Sequence, residues 1–106
     1  MKKKKFDCLG VEYLIKEVKE IKIEDKEGIF RHGETNYLNR EVKIAKSAKG
    51  IPLDKRDNRL TLLHELFHLF LDEGQYSNLS DDEPLVEWLA RCMNAAMEQG
   101  VLKMYE

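Results

Sequence analysis

The stretch TLLHELFHLF, residues 61–70, constrains this chain more than any other. His64 and His68 stand four positions apart, and Glu65 directly follows the first. On an α-helix, residues four apart lie one above the other on the same face. Two imidazoles so placed can point at a common ion. Glu65 is rotated about 100° from His64. In sites of this kind that glutamate is not a ligand; it faces the activated water as a general base. The competing reading is an amphipathic helix that contains two histidines by chance. Leu60, Leu62, Leu63, Leu66, Phe67, Leu69, Phe70 and Leu71 fill one broad arc of the helical wheel, and the two histidines fall together at its edge. A purely structural histidine is expected singly within that arc. The pair therefore reads as metal ligands, with Zn2+ the expected ion.

A catalytic zinc needs a third protein ligand and an open position. No histidine follows His68. Asp72 continues the i, i+4 series, but the eight residues from His64 span roughly 12 Å of helix, too far for ligand bonds of about 2 Å. The third ligand is expected from the next helix, where Glu83 and Glu87 sit one turn apart. Glu87 is preferred because it lies inside that helix. Glu83 is the alternative, and its place just before Pro84 also suits a helix cap. Glu87 is rotated about 150° from the apolar stripe of its helix, so a ligand there serves a site on the surface rim.

The rest of the chain reads as strands followed by helices. LGVEYLIKEV, residues 9–18, alternates as a strand. IKIEDKEGIF carries a charged turn around Glu24–Gly28. GIFRHGETNYL and REVKIA are β-like runs expected to form a hairpin, with Val42 and Ile44 on one face. KSAKGIPLD reads as a loop. Asp54 or Asp57 is expected to cap the histidine helix, which runs to about Glu73 and stops at Gly74. SNLSDDEPLVEWLARCMNAAMEQG reads as one second helix, with Pro84 near its start and Gly100 as its stop. The expected fold is α+β: a small antiparallel sheet of about three strands packed on two helices.

With 106 residues, the chain is expected to form one domain over 1–106. MKKKKF opens like a signal peptide, but Asp7, Glu12 and Lys16 interrupt any apolar region of the roughly 7–15 residues that export requires. Residues 1–8 are expected to be a flexible basic terminus. No run approaches the ~20 apolar residues of a membrane span, and a cytoplasmic protein of a bacterial host cell is expected. Net charge is −2, and basic residues and aromatics form no nucleic-acid motif, so neither nucleic acid nor membrane is expected as a partner. Cys8 and Cys92 form no CxxC pair and read as reduced thiols.

ETNYLNREVKI, LTLLHELFHLFLDE and DEPLVEWLARCM together resemble the zinc peptidases of the ImmA/IrrE group, most of all its small phage and prophage members. The likeness spans about residues 33–95. Leu66 and Phe67, inside the motif, depart from that group's usual HELGH. The resemblance implies a zincin-like minimal metallopeptidase domain, with His64, His68 and Glu87 as ligands and Glu65 as the catalytic base. It also implies a peptide substrate laid as an extended strand along the sheet edge, here the 41–46 strand.

The leading expectation is thus a zinc-dependent peptidase acting on a peptide or protein. His32, Tyr76 and Arg91 are candidates for a transition-state helper. The alternative is a non-catalytic phage or host interaction protein stabilised by zinc, which calls for four protein ligands and a closed site. A metal-free helical interaction protein is the third reading. Oligomeric state is not legible in the sequence.

Overall fold

A computed structural model describes residues 1–22 and 30–106. The expected turn at Glu24–Gly28 lies outside the described residues. The strands are β1 (Lys3–Cys8), β2 (Val11–Val18), β3 (Ile21–Lys22), β4 (Phe30–Arg31), β5 (Gly33–Asn36), β6 (Glu41–Ala45), β7 (Ser47–Ala48) and β8 (Ile51–Pro52). The helices are α1 (Lys55–Glu73), α2 (Ser77–Ser80) and α3 (Glu83–Glu98), followed by a 3-10 turn over Val101–Tyr105. The class is α+β.

The main sheet has four strands in the order β1-β2-β6-β5. It is mixed rather than antiparallel. β1 and β5 run antiparallel to their neighbours, but β2 and β6 are parallel, in the register Leu14↔Glu41 to Val18↔Ala45. That pairing joins segments far apart in the chain, which local alternation cannot reveal. The 41–45 strand is interior, so the expectation that it forms the free edge is overturned; β5 holds that place. The basic start is not a loose terminus either. Lys3–Cys8 pairs along its whole length with β2, and its inward residues Phe6 and Cys8 pack on the core.

The hairpin of β1 and β2 turns on Leu9 and Gly10, both at positive φ (50° and 101°). Two such residues make the turn whose twist matches that of the flanking strands. Asp7 Oδ1 accepts the Gly10 N–H at 2.6 Å. The expected loop at 46–54 contains a second small hairpin, β7 to β8, turned at Lys49-Gly50. The β5–β6 hairpin forms as expected, with Val42 and Ile44 both buried.

Tyr13, Val42, Ile44 and Leu69 form the core, with Phe6, Cys8, Val11, Ile15 and Leu62 packed against it. Full burial of each large apolar side chain contributes about 1.5–3 kcal/mol. The buried Tyr13 hydroxyl donates to Glu73 at the far end of α1. Burial first, and that bond second, push the phenol's pKa well up, so it stays a donor.

α1 begins as expected. Asp54 caps it by accepting the Asp57 N–H at 2.8 Å, and Gly74 ends it. α3 packs alongside α1, burying Val86, Ala90 and Asn94. Asn94 Oδ1 accepts from Arg59 Nε of α1 at 2.6 Å, while its amide nitrogen donates to Glu98. Glu98 also pairs with Arg56 at 3.1 Å, so both helices are tied at one end. The expected single second helix is broken. α2 stops at Ser80, and α3 restarts on its own cap, Asp82, which accepts the Leu85 N–H at 3.2 Å. Pro84 lies in the first turn of α3, where its missing N–H costs nothing.

Leu9 is fully exposed and held in the left-handed region without any packing to justify it. Asn tolerates that region far better than Leu. Leu9→Asn should therefore raise unfolding free energy by about 0.5–1 kcal/mol, measured as an increased urea midpoint at constant m-value.

Candidate metal centre

α1 carries His64 and His68 toward the start of α3 with their rings 68° apart and centroids 4.8 Å apart. Their Nε2 atoms lie 3.1 Å from each other. Glu83 closes the triangle, with one carboxylate oxygen 3.1 Å from His64 Nε2 and the other 3.1 Å from His68 Nε2. Two nitrogens held about 2.0–2.1 Å from one tetrahedral ion are about 3.3 Å apart. Edges of 3.1 Å therefore fit a shared metal ion. Among the described residues, His64, His68 and Glu83 are the one group of three or more ligand-type side chains close enough to hold an ion.

The hydrogen bonds on the far side of each ring support the same reading. His64 Nδ1 lies 3.1 Å from Glu87 Oε2. His68 Nδ1 lies 3.2 Å from Ser80 Oγ, and the Ser80 hydroxyl points to the His68 carbonyl oxygen at 3.4 Å. A carboxylate can only accept, and a hydroxyl whose proton is already directed at a carbonyl also accepts. With a cation taking both Nε2 lone pairs, each Nδ1 would carry the ring proton and donate to these acceptors.

Glu83 and Glu87 therefore exchange the parts preferred for them from the sequence. Glu83, in the first turn of α3, faces the Nε2 pair. Glu87, one turn on, meets His64 from behind through Nδ1. Glu87 Oε1 also accepts from Arg91 Nε at 2.8 Å. That guanidinium first, and His64 second, hold the Glu87 carboxyl below its ordinary range. Arg91 is thereby committed to Glu87 and does not line the recesses beside the histidines.

Glu65 stands on the sheet side of the pair. Its Oε2 accepts the Thr35 hydroxyl of β5 at 2.6 Å, and among the described residues Oε1 makes no hydrogen bond. This bond requires α1 and β5 to lie very close. A Cβ placed on Gly33 would come within 2.6 Å of Thr61 Cγ2 and 3.3 Å of Glu65 Cγ. Only glycine allows that approach.

The group opens onto two recesses. One, of about 500 Å3, is lined by Thr35, Tyr37, His68, Asp72 and Glu83; the other, of about 400 Å3, by His32, Leu60 and Glu87. His64, Glu65 and Arg31 border both. Of the expected helpers, His32 reaches this cleft. Tyr76 does not line it; its ring packs against Gly74 at the end of α1. Asp72 receives a hydrogen bond from Tyr37, whose phenol is pushed well above its ordinary pKa by burial first and that bond second.

Thr35, Tyr37 and Ser80 were missed in the sequence. Thr35 offered one weak signal, lying two residues from Gly33 on the same face of a strand. Ser80 offered none, since its role depends on how α2 folds back on α1. No family model matches the chain, and no curated protein or solved structure is similar to it.

Replacing Glu83 with Ala should abolish stoichiometric metal uptake, read by elemental analysis after titration with Zn2+ or Co2+. Ser80→Ala and Glu87→Ala should retain the ion with affinity about 10–100-fold weaker, read by competition with a chelator.

Proposed function

We propose that this protein is a zinc-dependent peptidase. The observation that carries the reading is the group His64, His68 and Glu83, whose ligand atoms converge, with the carboxylate of Glu65 beside it and a cleft in front. Three ligands leave one tetrahedral position free, as catalysis requires, whereas a purely structural zinc takes four protein ligands. No fourth such side chain joins the group among the described residues. The donor set of two imidazoles and one carboxylate suits Zn2+.

A bound zinc ion supplies Lewis-acid polarisation of a carbonyl and makes water acidic near neutral pH. The chain's own residues do the rest. Glu65 Oε1 accepts the proton of the attacking water and hands it to the departing amine. Thr35 fixes the other oxygen, so the carboxylate does not swing. His32 lines the cleft with His64 and Glu65 and is the candidate hydrogen-bond donor to a substrate carbonyl, since the Tyr37 hydroxyl is committed to Asp72. The peptide lies along β5, whose outer edge carries no partner strand among the described residues. This keeps the mode implied by the resemblance to the ImmA/IrrE group, moved from the 41–46 strand to its neighbour. A phage or prophage origin and action inside a bacterial cell belong to the same reading; no helix among the described residues is long and apolar enough to cross a membrane.

The test is a peptide-library digest by the zinc-loaded protein, read by mass spectrometry. Glu65→Gln should retain full zinc occupancy while cleavage falls about 10²–10⁴-fold. Undiminished turnover by that variant, or no product from the zinc-loaded wild type, would remove the mechanism.

A further inference from the structure

α1 does not cover the whole inner face of the sheet. Where β1 begins, that face continues as a groove of about 520 Å3 between the sheet, the first turns of α1 and the end of α3. Its floor is apolar, formed by Ile15, Ile44, Leu62 and Met97. Its rim is cationic. Lys2 and Lys4 come from the start of β1, and Lys55 and Arg59 come from α1.

Register explains the placement of the two strand lysines. Lys4 pairs with Ile15, and Phe6 pairs with the buried Tyr13, so Lys2, Lys4 and Phe6 share the inward face. Among the described residues no carboxylate lies within ion-pair distance of Lys2, Lys4 or Lys55. Glu17, the one acidic residue on the lining, sits 4.0 Å from Lys46. Asn58 borders the same groove, and its Oδ1 is buried with no hydrogen-bond partner.

We propose that this groove docks an acidic peptide segment bearing apolar side chains, supplied by a partner polypeptide. Charge complementarity selects the sign. The unpaired ammonium groups of Lys2, Lys4 and Lys55 favour negative charge, Arg59 being already paired with Glu98 at 3.5 Å, and the floor favours apolar anchors. The distribution selects a peptide over an anionic lipid. The cations stand on both sides of the floor, on a strand and on a helix, so charge is wanted at several points along the occupant rather than at one end. Lysines on an edge strand also discourage stray pairing. That accounts for β1 alone, not for Lys55.

The groove uses Lys55, Asn58, Arg59 and Leu62 of α1, whereas the metal group and its cleft use Leu60, Thr61, His64, Glu65 and His68. The docking site thus goes beyond the peptidase reading and does not rest on it.

The test is fluorescence anisotropy of a labelled peptide of Glu-Leu-Asp-Ile repeats with the full-length protein. Its controls carry Lys for the acidic residues or Ser for the apolar ones. Binding should be saturable, should fall with added salt, and should be weaker for both controls. Lys4→Glu with Lys55→Glu should weaken it about tenfold or more, and Met97→Asp similarly. Lys5→Glu with Lys103→Glu makes the same change in net charge elsewhere and should leave binding intact, as should His64→Ala, which removes a metal ligand. Equal losses from the two charge-reversal pairs would overturn the proposal. So would absence of binding by the wild type, or association with phosphatidylglycerol vesicles in place of the peptide.

Discussion

The candidate centre depends on where two imidazoles spend their single proton. A neutral histidine has one N–H, and the partner that accepts it decides which nitrogen keeps a free lone pair. Glu87 Oε2 stands 3.1 Å from His64 Nδ1, and Ser80 Oγ stands 3.2 Å from His68 Nδ1, each ready to accept that proton. Helical spacing alone would bring the rings near each other but leave them free to turn. The outer hydrogen bonds aim them. Those bonds come from α2 and α3, so the aim is only as firm as the packing of Val86 and Ala90 and the Arg59–Asn94–Glu98 ties between the helices.

The sheet contributes from the opposite side. β5 presses so close to α1 at Gly33 that the Thr35 hydroxyl reaches Glu65. Glu65 is therefore braced by the strand and the two histidines by the helices, with the cleft between them. A domain of this size has a small core and little surplus stability. An ion shared between α1 and α3 would add binding free energy to the folded state only.

Much of this was legible in the sequence wherever the signal was local. The His64-Glu65-His68 spacing, the Asp54 cap, the stop at Gly74, Pro84 and the β5–β6 hairpin each follow from residues within a few positions of one another. What escaped was non-local. β1 was hidden because its lysines read as a solvated tail; only pairing with β2 turns Lys4 and Phe6 to one face. The parallel match of β2 with β6 has no local signature. The choice between Glu83 and Glu87 depended on where α3 starts relative to α1. One turn of difference puts a carboxylate either at the Nε2 pair or behind a ring, and a helical wheel drawn for one helix carries no such information. Ser80 was hidden for the same reason.

The four-residue helix α2 has a consequence of its own. Among the described residues it is the shortest α-helix, lies between the two long ones, and carries the buried Ser80, whose hydroxyl oxygen stands 3.2 Å from His68 Nδ1. Neither long helix, folded alone, contains the grip on an ion. A cation held between them would therefore report on the seating of the connector as well as on the pairing of the long helices.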